Sequence, residues 1–117
     1  MAGLTTHVLD TSIGKPAINL KIELYKINNS KKNLIDTFLT NEDGRVDKPL
    51  LSAENIEETT YELLFFAGDY LANENINLNK NLFLNQIPIR FNITEKTQHY
   101  HVPLLLSPFG YSTYRGS

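Results

Sequence analysis

The side chains best suited to proton transfer near neutral pH are three histidines, His7, His99 and His101. His99 and His101 are two residues apart, so on a β-strand both would project from one face of the sheet. Together with His7 they could form a zinc site, but histidines with this spacing often occur by chance, and a solvated pair at a strand edge is the commoner arrangement. His7 alone is more typical of a hydrogen-bonded histidine within a core.

Arg45 and the C-terminal residues are the other candidates for chemistry. Arg45 follows the sequence "NEDG", which favours a tight turn before a strand, and its guanidinium would be functional if it were directed at an anion. The chain ends on "YRGS", which comprises Tyr114, Arg115, Gly116 and Ser117. Each residue type here also has an ordinary structural role, since tyrosines pack, exposed arginines pair with acids and glycine gives a turn its freedom.

The sequence contains no cysteine, and so neither a disulfide nor a thiol nucleophile. It also lacks a GxSxG nucleophile elbow, a Gly-rich phosphate loop and an HExxH zinc motif. The residue chemistry alone therefore predicts a site in which histidines and an arginine could converge, and it identifies no reaction.

Composition indicates a single globular domain over residues 1–117. Hydrophobic residues make up 41% of the chain and charged residues 21%, which argues against disorder. The net charge of −2 offers no basic surface for nucleic acid or an anionic membrane. No segment is apolar enough to span a membrane, and Met1–Asp10 lacks the organisation of a signal peptide. These features predict a cytoplasmic protein that binds neither nucleic acid nor membrane.

The segments that would position the candidate residues show mostly a two-residue period. Apolar and polar residues alternate in "NLKIELYKI" and in "IPIRFNI", where Pro88 near the start favours an edge strand. The denser apolar run "YELLFF" is typical of a strand in the core of a sandwich. Further strand candidates are "LTTHVLD", "LIDTFLT", "GRVDKPL", "YHVPLLL" and Tyr111–Tyr114.

Turn-forming sequences such as "DTSIGKPA" and "SPFG" separate these segments. Seven or eight short strands at this spacing predict an all-β fold, an antiparallel β-sandwich. The one helical candidate is "GDYLANENI", with Asp69 as its N-cap.

Three separated segments resemble one family of enzymes. The segments "LTTHVLDTSIGKPA", "TNEDGR" and "HYHVPLLLSPFGYSTYRGS" are together similar to the 5-hydroxyisourate hydrolases, transthyretin-like enzymes of urate breakdown. Their order, and their span of nearly the whole chain, argue against a chance match. The terminal "YRGS" is the most specific element, because it marks the hydrolases and is missing from the hormone-carrying transthyretins.

The resemblance implies an activity and a site. Members of the family hydrolyse 5-hydroxyisourate to 2-oxo-4-hydroxy-4-carboxy-5-ureidoimidazoline, by attack of water on a ring amide bond. Transferred by position, the catalytic residues are His7, Arg45, His101 and Ser117. The residues implied in substrate binding are His7, Arg45, Tyr114, Arg115 and Gly116. One of His7 and His101 would be the base and the other would orient or protonate, and the resemblance leaves these roles open.

The resemblance also implies a transthyretin-like two-sheet sandwich with one short helix. It implies a homotetramer, a dimer of dimers, with active sites in a channel where dimers meet, and a C-terminal tail ordered by a neighbouring subunit. It implies no metal and no organic cofactor. His99 lies beside a catalytic position without matching it.

Two other functions are open from the sequence. The same fold could hold a small aromatic ligand in its central channel without catalysis. Alternatively, His7, His99 and His101 could bind zinc in a metal-dependent hydrolase. The "YRGS" ending argues against the binding module and favours the metal-free hydrolase.

Overall fold

The computed structural model describes residues 3–74 and 82–116, which form two β-sheets and one α-helix. The elements, in chain order, are strands β1 (Gly3–Asp10), β2 (Lys15–Pro16), β3 (Lys21–Asn28), β4 (Lys31–Leu39), β5 (Leu51–Ser52) and β6 (Thr60–Phe65), helix α1 (Ala67–Glu74), and strands β7 (Ile87–Asn92), β8 (His99–Ser107) and β9 (Gly110–Thr113). The predicted all-β sandwich with one short helix is confirmed. The described strands number nine rather than seven or eight, because β2 and β5 are two-residue strands that pair with β1.

The first sheet contains the three histidines, with His7 on β1 and both His99 and His101 on β8. Its strands run in the order β2-β1-β8-β9, and β5 pairs with the start of β1. β1 and β8 are parallel, whereas the other described pairs of both sheets are antiparallel. The parallel pair is where the structure differs from the antiparallel prediction, because local turn sequences give no information on how two distant strands meet.

The second sheet has the strand order β4-β3-β6-β7. The predicted alternation is confirmed in β3 and in the residue before it, since Leu20, Ile22 and Leu24 are fully buried. β6 is a central strand with five consecutive buried residues, as its apolar run predicts. Pro88 is exposed in the edge strand β7, where its missing N–H costs no ladder hydrogen bond.

The core lies between the two sheets and anchors the strands that carry the histidines. Burial of a large aliphatic side chain contributes about 1.5–3 kcal/mol. The fully buried residues contributed by the two strands are Leu4, Val8, Leu104 and Leu106. Because successive side chains of a strand alternate in direction, this anchoring fixes the opposite, outward faces of β1 and β8 as well.

One predicted strand is a loop. The segment "GRVDKPL" has no strand pairing, and pairing resumes at Leu51 in β5. Gly44 has a φ of 74°, a left-handed conformation that ends regular extension, and Pro49 lacks the N–H that a ladder requires.

The helix begins earlier than its sequence predicts. α1 starts at Ala67, so Asp69 lies in the first turn and is not the N-cap. The carbonyl of Phe66 accepts the first helical hydrogen bond, from the Tyr70 N–H at 3.3 Å. The end of the predicted helix, residues 75–76, lies outside the described residues. In the part of the chain that the structure describes, no helix is long and apolar enough to cross a membrane.

Candidate active site

The three histidines lie on the outward face of the first sheet. In the parallel pair of β1 and β8, Thr5 is opposite His101 and His7 is opposite Pro103. The residues that alternate with them on both strands are buried in the core. The prediction that His99 and His101 share a face is therefore confirmed, and the pairing of the strands adds His7 to that face.

A tight loop places Arg45 beside β1. The Asn41 Oδ1 accepts a hydrogen bond of 3.1 Å from the Arg45 N–H, and the Asn41 N–H donates to the Arg45 carbonyl at 2.7 Å. The Gly44 carbonyl accepts a hydrogen bond of 2.8 Å from the Val8 N–H, which fastens the loop to β1 one residue beyond His7. Arg45 is thus positioned by a loop, and the expectation that it starts a strand is wrong.

Burial and Arg45 keep two of the imidazoles neutral. Partial burial lowers the pKa of His7 below its ordinary value of 6.5, and the positive charge of Arg45 lowers it further. A hydrogen bond to the backbone of Asp43 and the negative charge of Asp43 raise the pKa, but by less. Burial also lowers the pKa of His101, as do the charges of Arg45, His7 and His99. The positive charge of Arg45 thus acts on both imidazoles, and the lowered pKa values favour neutral histidines that can accept a proton at pH 7.

Arg45 and Thr5 line a cavity of about 210 Å³, together with Thr6 and the loop segment 46–50. A larger cavity of about 610 Å³ lies between β4 and the loop segment 48–57, and its lining includes none of the predicted site residues. The chemistry predicted from the sequence is therefore associated with the smaller cavity, whose polar residues come from β1 and the Arg45 loop.

Gly116 packs directly against the imidazole of His101. Its N–H donates a hydrogen bond of 2.7 Å to the His101 carbonyl, so the end of the tail pairs with β8. A Cβ atom on Gly116 would lie 2.6 Å from His101 Cδ2, closer than real Cβ atoms approach, and a tight 3.2 Å from Cγ. The end of the tail is therefore held against the chain's own β8.

The other tail residues face elsewhere. The Arg115 guanidinium lies 4.3 Å from the centroid of the Tyr100 ring and donates a hydrogen bond of 2.9 Å to Gln98 Oε1. Tyr114 is 57% exposed. Tyr114 and Arg115 both line a separate cavity of about 330 Å³ between β7 and β9. Ser117 lies outside the described residues.

The structure thus brings together four of the predicted site residues, namely His7, Arg45, His101 and Gly116. Sequence reasoning missed a fifth, Thr5, whose Oγ1 lies 2.8 Å from His101 Nδ1 and 3.0 Å from His99 Nε2. The signal was available, because Thr5 precedes His7 by two residues and must share its face of the strand.

Residues 3–74 and 82–116 contain no group of three His, Cys, Asp or Glu side chains that could hold a metal ion, so the described residues do not support the alternative of a zinc site. Two of the ring nitrogens, His99 Nε2 and His101 Nδ1, instead share the hydroxyl of Thr5.

The loop that carries Arg45 depends on glycine at position 44. A Cβ atom there would lie 2.3 Å from the Val8 carbonyl oxygen, and the φ of 74° disfavours any other residue. We expect Gly44→Ala to lower the free energy of unfolding by about 2–5 kcal/mol, the sum of left-handed strain and overpacking. Urea unfolding followed by circular dichroism at one protein concentration measures this loss.

Gly14→Ala is the matched control for this prediction. Gly14 has a similar φ of 65°, but a Cβ atom there meets nothing within 4 Å. It should cost only the strain, about 1–2 kcal/mol. Equal losses for the two variants would show that the contact of Gly44 with β1 is unimportant for the loop.

Comparison with known proteins extends these observations. The sequence pattern of the HIUase/Transthyretin family matches residues 4–116. The chain is 54% identical over 114 residues to 5-hydroxyisourate hydrolase 2 of Rhizobium meliloti (strain 1021), which covers 97% of this chain and 95% of that protein.

Solved structures show the same fold. The structure of Klebsiella pneumoniae 5-hydroxyisourate hydrolase matches with a TM-score of 0.80 and 31% identity, over 97% of this chain and 98% of that one. (S)-Allantoin synthase matches with a TM-score of 0.90 and 42% identity over 98% of this chain, which spans only 43% of that longer protein. Because the family pattern matches residues 4–116 and the Rhizobium meliloti relative is 54% identical over 97% of this chain, the chain belongs to the HIUase/Transthyretin family.

Proposed function

We propose that the protein hydrolyses 5-hydroxyisourate to 2-oxo-4-hydroxy-4-carboxy-5-ureidoimidazoline, as part of purine breakdown. The observation that carries this proposal is the position of His7 and His101 on one face of the first sheet, with the positive charge of Arg45, from the adjacent loop, acting on both imidazoles. Relatives whose names state this activity match this chain over more than nine-tenths of their own length and are about half identical to it, which supports the assignment.

The convergence supplies what hydrolysis of a cyclic amide requires. One of the neutral imidazoles removes a proton from water as the water oxygen adds to a ring carbonyl carbon. The guanidinium of Arg45, which has only donors, stabilises the oxyanion that develops on the carbonyl oxygen. The carbon–nitrogen bond of the ring then breaks, the nitrogen takes up a proton, and the new carboxyl group is released as part of the product.

The tail completes the site in this proposal. Gly116 abuts the ring of His101 and so limits its orientation. Tyr114, Arg115 and Ser117 are also part of the proposed site, as substrate-binding or catalytic groups. Because Tyr114 and Arg115 line a separate cavity of their own subunit, they would contribute where subunits meet. The contacts of Arg115 with Tyr100 and Gln98 give the tail a fixed attachment on the far side of β8.

An assay of the purified protein tests the proposed function. The protein is expected to accelerate the loss of freshly prepared 5-hydroxyisourate over its spontaneous decay, and to do so after exhaustive chelation, because the mechanism uses only imidazole and guanidinium groups. Absence of acceleration would contradict the function. Loss on chelation with recovery on adding zinc would replace the metal-free mechanism by one in which His99 is a ligand.

We also propose a homotetramer, a dimer of dimers, with sites shared between subunits. The cavity beside Arg45 is smaller than the range of about 300–1,000 Å³ usual for small-molecule sites, so one subunit supplies only part of an enclosure. Val102, Leu104 and Leu106 are buried within the subunit, but Leu105 on the outward face is only partly covered, as is Leu9 opposite it on β1. The proposal includes a cytoplasmic location, where a chain without cysteine needs no oxidative folding.

Light scattering at micromolar concentration tests the assembly. We expect a mass of four chains, because the outward face of the first sheet bears partly exposed apolar residues that a partner would bury. A fully active monomer would contradict the proposal.

A further inference from the structure

The hydroxyl of Thr5 joins two histidines, of which the proposed mechanism uses only one. Its Oγ1 lies 2.8 Å from His101 Nδ1 and 3.0 Å from His99 Nε2, both within hydrogen-bond distance. A hydroxyl has one proton and two lone pairs. Among the described residues Oγ1 has no third hydrogen-bond partner. If both contacts are hydrogen bonds, both rings are neutral and the hydroxyl proton lies in one of the two bonds, the hydroxyl donates to one ring nitrogen and accepts an N–H from the other.

Only two arrangements satisfy this condition. In the first, His101 donates from Nδ1 to Thr5, and Thr5 donates to His99 Nε2, so Nε2 of His101 carries a free lone pair. In the second, His99 donates from Nε2 to Thr5, and Thr5 donates to Nδ1 of His101, so Nε2 of His101 carries a proton. The first arrangement makes His101 a base at Nε2, and the second makes it an acid there.

The surroundings of His101 favour the first arrangement. Among residues 3–74 and 82–116 no hydrogen bond engages its Nε2, whereas Nδ1 is fixed by Thr5. Arg45 lines the same cavity as Thr5, the hydrogen-bond partner of this ring, and a guanidinium offers donors only. A lone pair on the ring nitrogen left free is therefore better placed near Arg45 than an N–H group would be.

We propose that Thr5, with His99 as its hydrogen-bond acceptor, is a positioning residue that holds neutral His101 in the tautomer protonated at Nδ1, leaving Nε2 to accept the proton from water. This inference rests on the proposed function, and it assigns to His101 the role of base that the sequence left open between His7 and His101. It also gives His99 a role that involves no contact with substrate.

The arrangement survives the proton transfer without rotation of any group. When Nε2 of His101 takes a proton from water, the ring becomes an imidazolium that still donates from Nδ1 to Thr5. The hydroxyl still donates to His99 Nε2, so the chain of hydrogen bonds keeps its direction. A transfer that needs no reorganisation around the base is the condition that favours electrostatic catalysis.

Imidazole ¹⁵N chemical shifts test the proposal directly, because they distinguish a protonated from an unprotonated ring nitrogen, and the chain has only three histidines to assign. In the unmodified protein at a pH where the rings are neutral, we expect a proton on Nδ1 of His101 and none on Nε2 of either His99 or His101. Finding His101 protonated at Nε2 would overturn the proposal, whether or not the protein hydrolyses 5-hydroxyisourate.

Two substitutions at Thr5 give the second test. Thr5→Val keeps the shape of the side chain and removes the hydroxyl, so His101 should lose its single tautomer and kcat should fall by at least about 10-fold with little change in KM. Thr5→Ser keeps the hydroxyl and should retain both the tautomer and most of kcat. A near-normal kcat in Thr5→Val would overturn the proposal, and so would a loss of kcat in Thr5→Ser as large as that in Thr5→Val. If Thr5→Val fails to fold, the ¹⁵N measurement on the unmodified protein decides whether the proposal holds.

Discussion

Replacement of His101 by asparagine is expected to lower turnover of 5-hydroxyisourate by about 100-fold or more, the usual effect of losing a general acid or base. His7→Asn should cause a loss of the same size. Asparagine keeps a polar group at each position but cannot take up a proton near neutral pH. Both side chains project from the sheet surface, so the fold should persist, and steady-state rates of the folded variants measure the effect.

His99→Asn is the matched control, because His99 lies on the same face and also contacts Thr5. Its loss should be far smaller, since in the proposed mechanism it acts only through Thr5. Equal losses at all three histidines would contradict the distinction between His101 and its neighbour.

The pKa values of His7 and His101 should also determine how turnover of the unmodified protein depends on pH. Burial and the charge of Arg45 lower the pKa of both His7 and His101 below 6.5, so both rings are neutral at pH 7. A base must be unprotonated, so turnover of the unmodified protein should be constant around pH 7 and fall only as the pH drops below the ordinary histidine value. A fall that is already under way at pH 7 would show that neither lowered pKa governs the rate.

Deletion of residues 114–117 is expected to abolish most hydrolysis and to leave a folded, β-rich protein. The tail adds no large residue to the core, so its loss should cost little stability. It does remove Gly116 from the ring of His101 and Arg115 from Tyr100. Misplacement of a catalytic group by about 1 Å can cost roughly 100-fold in rate.

Arg45→Ala should cause a comparable loss by removing the oxyanion donors.

The measurement compares rate, circular dichroism and thermal midpoint for the truncated and complete chains. Near-normal turnover after truncation would show that the tail is an ordinary surface segment. Unfolding or dissociation would instead make the tail an assembly element, and it would contradict the expectation that the truncated chain stays folded.

Gly116→Ala isolates the steric part of this prediction. The added methyl group would overlap His101 Cδ2, so the ring must move, and turnover should fall strongly while the thermal midpoint changes little. Gly110→Ala is the matched control in the preceding hairpin, where a Cβ atom would meet only Ser107 Oγ at an ordinary 3.7 Å. If both variants keep normal turnover, contact of the tail with His101 is irrelevant to the reaction.

The sequence predicted what depends on local patterns. Alternation revealed the buried face of β3 and the shared face of His99 and His101, because neighbouring side chains on a strand point in opposite directions. It failed at the Arg45 loop, where local turn propensity indicated a following strand and the contact of Gly44 with Val8 determined a loop instead.

The candidate site required more than local pattern. Thr5 and His101 are 96 residues apart, and only the register of a parallel pair makes them neighbours. Nothing in the composition of either strand specifies that register. The resemblance to a family therefore predicted the set of residues, whereas residue chemistry alone predicted only a site in which histidines and an arginine could converge.

The parallel pairing of β1 with β8 also determines when the site can exist during synthesis. All four strands of the second sheet lie between Lys21 and Asn92, so that sheet can form before β8 leaves the ribosome. At roughly 5–20 residues per second, β1 would precede β8 by about 5–20 s, with one edge unpaired. A nascent chain in that interval is a substrate for chaperones or aggregation. Hydrolytic activity is therefore a property that appears only after β8 has been synthesised, and it can serve as a reporter of the pairing of β1 with β8.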